Sequence, residues 1–513
     1  MGERECHFLI KTFPANTKSK SINNSQTIVR YSEKMSRVQT IFKSMSWLLA
    51  SNIVGFICGF IWTILIARYL QVSEYGILGF ATSLSGILAF STDWGITTYI
   101  VRHVSTDRSV AGMYLNNSIP LKTVFSAATL IVTLICLLVM RADEVTVTVT
   151  VIVTIYMILK SFMGLFESIF QAFEIGKYQG IGNIILNVLT LAFILIAIFS
   201  NGGLFAIPIA YLIAYAISLA YEYHIIKRRV AKPVFEFDRT LCRKITIASL
   251  PFAAGTVLYL IYYSIDIVML TGIIGNYATG IYNASYKLIS IVAVLQGIYG
   301  TVMFPVMSNF FENRREMLKM TFEKSIKYMT GLIIPVALAV TIYSRDIIQV
   351  VYGSQYLPSA MTLSILIWTV SLLFINNICS VLLNASHEEV NVTKTYAVAA
   401  LFNIVLNFIM IPYISYNGAA ITTVLSDLLI LIILMLIIYK SGYRPTGKIC
   451  IDLGKILIAS LVLAVILTWL KLNMWVALPV GIITYLITCY LLRLFDDEDK
   501  HIIREIINTG EDG

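Results

Sequence analysis

LTGIIGNYATGIYNASYKLISIVAV, residues 270–294, is long enough to cross a bilayer and carries one charge, Lys287. A hydrocarbon core about 30 Å thick takes roughly 20 predominantly apolar residues of helix. The stretch has a counterpart 204 residues earlier, IARYLQVSEYGILGFATSLSGILAF at 66–90, with identities at Gly76/Gly280, Ile77/Ile281, Leu84/Leu288, Ile87/Ile291 and Ala89/Ala293. The same offset pairs Arg141 with Arg345, each just outside an apolar run. Working outward, runs of this kind fill the chain. They begin near Phe42, Gly76, Ile119, Val145, Ile181, Leu204, Ile245, Tyr277, Ser325, Ala360, Val392, Gly418, Ile449 and Met474. With 58% hydrophobic and 13% charged residues over 513 positions, the chain is expected to be an all-α polytopic membrane protein with about 14 transmembrane helices.

The basic residues set the topology. With the amino end in the cytoplasm, 31 of 38 Lys and Arg fall on the inner side, four (Arg68, Arg141, Arg345, Lys471) on the outer, and Lys122, Lys160 and Lys287 in or at the edge of spans. That asymmetry is the positive-inside signature and places both termini in the cytoplasm of a cell (inner) membrane. The net charge of +9 therefore reports topology and contact with anionic lipid, not nucleic acid. The runs are continuously apolar, which suits helices rather than a barrel. Residues 145–153 alternate Val and Thr like a strand, but no turn signal separates them from 155–170, so they read as helix four. The seven cysteines have no paired spacing and read as packing residues.

An offset of six helices keeps both copies in one orientation, which implies a parallel repeat about an axis normal to the membrane. The expected architecture is two six-helix lobes related by a pseudo-two-fold axis, 41–226 and 245–440, joined by a basic cytoplasmic linker at 227–244. Two further helices (441–493) and a cytoplasmic tail (494–513) follow. The polar, basic stretch 1–40 lacks a signal-peptide pattern. Residues 1–34 are expected to be disordered, with Met35 an alternative start.

Two helices carry a polar, small-residue stripe. In helix two it is Gly79, Thr82, Gly86, Ala89, Asp93 and Thr97, and in helix eight Asn283, Tyr286, Ser290, Ala293, Gly297 and Thr301. Steps of three and four keep each on one face, and the offset superposes them position for position. Close helix packing explains the small residues as well as a cavity does. It does not explain Asp93 or Lys287. Lys287 lies near the bilayer midplane, about 15 Å into its helix. An ion there costs about 2.5–3.5 kcal/mol or more unless it meets a wet cavity or a counter-ion, so it is a functional candidate. Asn283 and Ser290 flank it. The competing reading is a buried pair with Asp266 on helix seven. Lys160 and Asp427 also fall inside spans, whereas Glu167, Glu222 and Lys122 lie near cytoplasmic ends where snorkelling is cheap. For Asp93, Asp266 and Asp427, a coupling-ion site, a substrate hydroxyl partner and a structural pair remain open.

Several segments resemble a known family: residues 270–288 (LTGIIGNYATGIYNASYKL), ARYLQVSEYG from Ala67, VVYGSQYLPSA from Val350 and NIVLNFIMIPYISYNGAAITTV from Asn403, with Asp93-Trp94-Gly95 and Phe304-Pro305. They look like the polysaccharide transporter (Wzx-type flippase) branch of the multidrug/oligosaccharidyl-lipid/polysaccharide exporter superfamily. The similarity runs from Ile41 to Arg493, and the head before Met35 departs from the usual short start. The resemblance implies two lobes around a central cavity and export of a polyprenyl diphosphate-linked oligosaccharide from the cytoplasmic to the outer leaflet, for surface polysaccharide assembly. A glycan polymerase or other assembly proteins would be partners. In that frame Lys287, Lys160 and, at the outer mouth, Arg68 would meet the diphosphate, and Tyr259, Tyr262, Tyr263 and Tyr286 the sugars.

Alternatives within the superfamily are a multidrug exporter, which would prefer acidic walls for cationic drugs, and a peptidoglycan-precursor flippase, for which more arginine is expected in the first lobe. A membrane glycan polymerase needs positioned acids and bases in a large outer loop. The longest outer segment, 343–359, has no His and no paired carboxylates. Residues 442–448 (GYRPTGK) have the spacing of a phosphate-binding loop, but Ile449 stands where Ser or Thr would hold magnesium and no strand precedes it. The expectation is a non-enzymatic transporter without cofactor or metal.

Overall fold

A computed structural model of the chain describes residues 21–470 and 473–494, and the side chains of all of these except residues 21–42, 250–259 and 294–295. Among the described residues every regular element is helical. The α-helices are α1 (Ser21–Tyr69), α2 (Val72–Ala89), α3 (Ile96–Thr106), α4 (Ala111–Val139), α5 (Glu144–Ala172), α6 (Gly176–Phe199), α7 (Gly203–Arg229) and α8 (Arg239–Ile273). They continue with α9 (Asn276–Asn313), α10 (Arg315–Ile342), α11 (Ser344–Val351), α12 (Ser359–Ala385), α13 (Glu389–Lys440), α14 (Gly447–Leu470) and α15 (Met474–Leu491).

Twelve of the described helical segments are long and apolar enough to cross a membrane. The 52-residue α13 is one of them, yet it holds two spans, because Ile414 and Ser415 are non-helical. Pro412 lies just before the break, where a missing N–H and a bulky ring weaken the ladder. The 35-residue α8 is the remaining span. The fourteen-helix all-α architecture read from the sequence is the one the chain adopts.

Local chemistry explains elements that propensity leaves open. The Val/Thr run is the start of α5: Asp143 caps it, accepting from the Thr146 amide (3.2 Å) and hydroxyl (2.6 Å). Thr150 and Thr154 then donate to the carbonyls of Thr146 and Thr150, at 2.7 and 2.8 Å. A membrane span must satisfy its polar groups internally, and β-branched threonine does so only by bonding back along a helix.

Two expectations are corrected. The second span is not one helix through Thr97. It breaks at residues 93–95, where Trp94 (φ 45°) and Gly95 (φ 76°) are left-handed. α1 begins at Ser21, so residues 21–34, expected to be disordered, continue the first span as helix. Extending an existing helix costs far less than nucleating one. Residues 1–20 and 495–513 lie outside the described residues.

Helix neighbours repeat along the chain. In the first half α1 packs on α6, α6 on α7, α7 on α5 and α5 on α2; in the second, α8 packs on α13, α13 on α12 and α12 on α9. The halves meet chiefly where α2 crosses α9 and α8. A Cβ on Gly76 would fall 1.9 Å from the Asn276 carbonyl oxygen, and one on Gly280 2.0 Å from that of Val72. Both glycines and both carbonyl-bearing residues are partners under the 204-residue offset, so this backbone contact is symmetric. One turn on, the offset partners Gly79 and Asn283 also touch, a Cβ on Gly79 lying 2.6 Å from Asn283 Nδ2. α14 packs on α10, and α15 on α14. Between α7 and α8 the loop is pinned by α4: Asn116 Oδ1 accepts from Val234 N (2.9 Å) and Asn117 Oδ1 from Asp238 N (2.7 Å).

Candidate functional site

Beyond the Gly76/Gly280 crossing, α2 and α9 each carry a glycine that faces open space. A Cβ on Gly86 or on Gly297 would meet no atom within 4 Å. Lys160 on α5 and Lys287 on α9 are both solvent-exposed, although each lies well inside its helix. Lys287 is eleven residues from the start of α9, about 17 Å along the axis, and Lys160 twelve from the end of α5, about 18 Å. The two ammonium groups are close enough to act on each other electrostatically. Among the described residues no carboxylate forms an ion pair with Lys287. Glu167 is the acid nearest to Lys160 in charge interaction. It lies seven residues along the same helix, about 10 Å away on the axis. The first and second halves thus each carry an exposed cation deep within a helix.

The other sites singled out from the sequence are distributed differently. Ser290 donates to the Lys287 carbonyl (2.8 Å) and lines a cavity of about 580 Å³ in the second half, which also reaches Asp266, Asp427, Tyr262, Tyr263 and Tyr286. Asn283 does not share the exposure of Lys287: it is 3% exposed, held against Gly79 at the helix crossing. The proposed pairing of Asp266 with Lys287 does not occur. Asp266 accepts from Asn407 Nδ2 (2.6 Å), Thr423 Oγ1 (2.7 Å) and Tyr282 Oη (2.9 Å), which turn it away from the two lysines and into the packing of α8, α9 and α13. Asp427 Oδ1 accepts from Tyr262 Oη at 2.6 Å, while its Oδ2 has no partner.

Asp93 is held by a structural contact. The break after α2 turns it toward α4, where the wholly buried Lys122 reaches it at 2.7 Å, and Thr97 donates to its other oxygen at 2.8 Å. Lys122 also donates to the Ser161 hydroxyl (2.7 Å) and carbonyl (3.0 Å). It therefore does not snorkel, because its three donors are satisfied inside the bundle. Arg68 is likewise engaged: its guanidinium donates to the carbonyl oxygens of Val350 and Val351 at the end of α11. Gln355 Nε2 spans the same boundary to the carbonyls of Ala67 and Leu70, each at 3.4 Å. The two halves are thus tied together on the side where α2 and α9 begin. The Tyr262 and Tyr286 hydroxyls bond to Asp427 and to the Tyr263 carbonyl, so they serve packing. The Tyr259 side chain lies outside the described residues.

Sequence reasoning missed Tyr282, Asn407 and Thr423 around Asp266. The signal was present in residues 403–424, where Asn403, Asn407 and Thr423 interrupt an apolar run, but which carboxylate they face depends on how α13 folds back at 414–415. A further cavity, about 670 Å³, is an apolar crevice between α10 and α14–α15; its one charged side chain, Lys327, pairs with Asp452 at 3.3 Å. It carries no comparable chemistry.

Known proteins share this architecture. The chain is 24% identical over 421 residues to an uncharacterised membrane protein of Methanocaldococcus jannaschii, covering 76% of this chain and 82% of that protein. It is 23% identical over 390 residues to the protein named probable low-salt glycan biosynthesis flippase Agl15 of Haloferax volcanii, covering 74% and 79%. Its fold matches the lipid II flippase MurJ in an inward closed conformation with a TM-score of 0.71 at 16% identity, over 87% of this chain and 98% of that one. Residues 251–409 match the MatE family model. Residues 41–311, more than half of the chain, match the model of the polysaccharide biosynthesis proteins, and this multi-pass membrane protein belongs to that family.

Proposed function

We propose that the protein flips a polyprenyl diphosphate-linked oligosaccharide from the cytoplasmic to the outer leaflet. The observation that supports this reading is the placement of Lys160 and Lys287, one from each half, as exposed cations deep within their helices, near enough to interact and without ion-pair partners among the described residues. A lipid diphosphate brings two to three negative charges through the bilayer core, where each needs a counter-charge or water. Lysine ammonium groups are mobile point charges that follow a phosphate as it moves. The polyprenyl tail needs no such path, since it is at home in lipid.

The halves, taken as residues 41–226 and 245–440, are the moving bodies, rocking about the α2–α9 crossing. Both termini are cytoplasmic in this reading. The contacts of Arg68 and Gln355 then close the outer side, leaving the two lysines open toward the cytoplasm, where the substrate is made. Asp266 and Asp427, buried carboxyls without a basic partner, are the groups in the second half through which an ion gradient acts. A glycan polymerase or another assembly protein consumes the flipped product.

Depleting the protein in its own cell tests the reading. Complete lipid-linked glycan should accumulate facing the cytoplasm. Accumulation of outward-facing unpolymerised units would assign the protein to a later assembly step, and unchanged glycan with altered drug sensitivity would assign it to drug export.

A further inference from the structure

Glu222 has no role in the site described above, yet it is the most exceptional ionisable group in the first half. It lies on α7, seven residues before the helix ends at Arg229, and is wholly buried. Neither of its carboxyl oxygens has a hydrogen-bond partner. The group is pressed against α6: a Cβ on Gly182 would fall 2.7 Å from Glu222 Oε1 and 3.3 Å from its Cγ. That glycine is what admits the carboxyl between the two helices.

Three more polar side chains converge there. Gln179 and Asn183 bracket Gly182 on α6 within a single turn, and Gln179 Oε1, also buried, has no partner either. Glu167 on α5 adjoins both of them and acts electrostatically on Glu222. The charged and titratable groups around Glu222 are therefore Glu167 from α5, with Lys160 further along that helix, Tyr178 from α6, and Tyr215 and Tyr221 on α7 itself. None of the described groups is a cation in contact with Glu222. An unpaired ionised carboxylate with no hydrogen bond is too costly to bury, and a second carboxylate in its neighbourhood raises that cost.

We propose that Glu222 is a proton-binding site in the first half of the molecule, holding its proton at rest, with Glu167 as the neighbouring carboxyl that relays it. Glu167, half-buried, is the entry: it exchanges the proton with water and passes it to Glu222. When both carboxyls are ionised, the charge between α5, α6 and α7 is uncompensated and the three helices must repack or admit water. Proton occupancy is in this way linked to the shape of the first half. The assignment of this proton to export rests on the flippase reading, but the site itself does not.

The test is infrared difference spectroscopy of the purified full-length protein, reading the C=O stretch of a protonated, buried carboxylic acid between neutral and alkaline pH. Wild type should show such a band, lost on alkaline titration and absent from the neutral-pH spectrum of Glu222→Gln. In Glu167→Gln it should be lost about one pH unit or more lower, because a like charge has been removed. Glu222→Gln, neutral and of the same shape, should fold and melt at least as high as wild type. A neutral-pH spectrum unchanged by Glu222→Gln, or a wild type without a titrating carboxyl, overturns the proposal. So does a Glu222→Gln variant of lowered stability whose parent is stabilised by sodium, which would make this a metal-cation site. Should the variant fail to fold, the alkaline titration of wild type decides alone. A band lost in Glu222→Gln together with normal glycan distribution after depletion leaves the proton site standing and removes the flippase reading; the reverse pair removes the site alone.

Discussion

Gly76 and Gly280, 204 residues apart, meet backbone to backbone: each lacks the Cβ that would strike a carbonyl oxygen of the opposing helix within 2.0 Å. Their contact is the pivot of the proposed rocking of the halves, and the residues on its two sides are offset partners. Because the obstruction is backbone rather than a movable side chain, Gly76→Ala or Gly280→Ala should lower the thermal stability of the purified protein, by about 1–3 kcal/mol. Gly86→Ala, which opens onto empty space on the same helix, should be neutral. Equal melting temperatures for Gly76→Ala and Gly86→Ala would refute the pivot.

The two exposed lysines are expected to act as substrate contacts rather than as structural ions. Lys287→Ala and Lys160→Ala should each abolish or sharply reduce glycan export while protein level and melting temperature hold, since neither loses an ion pair. Asp266 and Lys287 share no hydrogen-bond partner, so the stability effects of Asp266→Asn and Lys287→Gln should add to within about 0.5 kcal/mol. A larger coupling energy would restore the pair that the geometry denies.

Asp93 and Lys122 present the opposite case. Removing one partner of a buried pair leaves an uncompensated charge and costs about 3–5 kcal/mol, whereas replacing both with apolar groups is often neutral. Asp93→Leu, which strands the wholly buried Lys122 ammonium, should therefore prevent stable folding, and adding Lys122→Met should recover much of the loss. Thermal melts of the single and double variants decide this, and a double variant no better than the single would show that the helix break itself needs the carboxylate.

Arg68 and Gln355 are expected to latch one face of the molecule. In a background lacking the native cysteines, a cysteine at Gly86 should resist a membrane-impermeant thiol reagent added outside the cell. Adding Arg68→Ala should raise its labelling several-fold by releasing the Val350 and Val351 carbonyls. Labelling that Arg68→Ala leaves unchanged would mean that the latch does not gate access to this position.

Much of this molecule follows from the order of its residues alone. Apolar run length, the segregation of Lys and Arg and the offset that pairs 66–90 with 270–294 suffice for fourteen helices and for Lys287 as an exceptional charge, because the bilayer imposes a length and a charge asymmetry that leave few alternatives. The stripes on the second and eighth helices were legible as stripes, but not that their first members, Gly79 and Asn283, would press together beside the backbone crossing while Gly86 and Gly297 faced open space. Periodicity assigns a face without saying what the face meets. Partnership among the buried ions was decided by tertiary structure. The left-handed turn at Trp94 and Gly95 delivers Asp93 to Lys122, and the fold of α13 at Ile414 and Ser415 carries Asn407 and Thr423 to Asp266. Glu222 is left against Gly182 with no partner. A buried charge is settled by the few atoms within about 4 Å of it, and here those atoms come from helices distant in sequence.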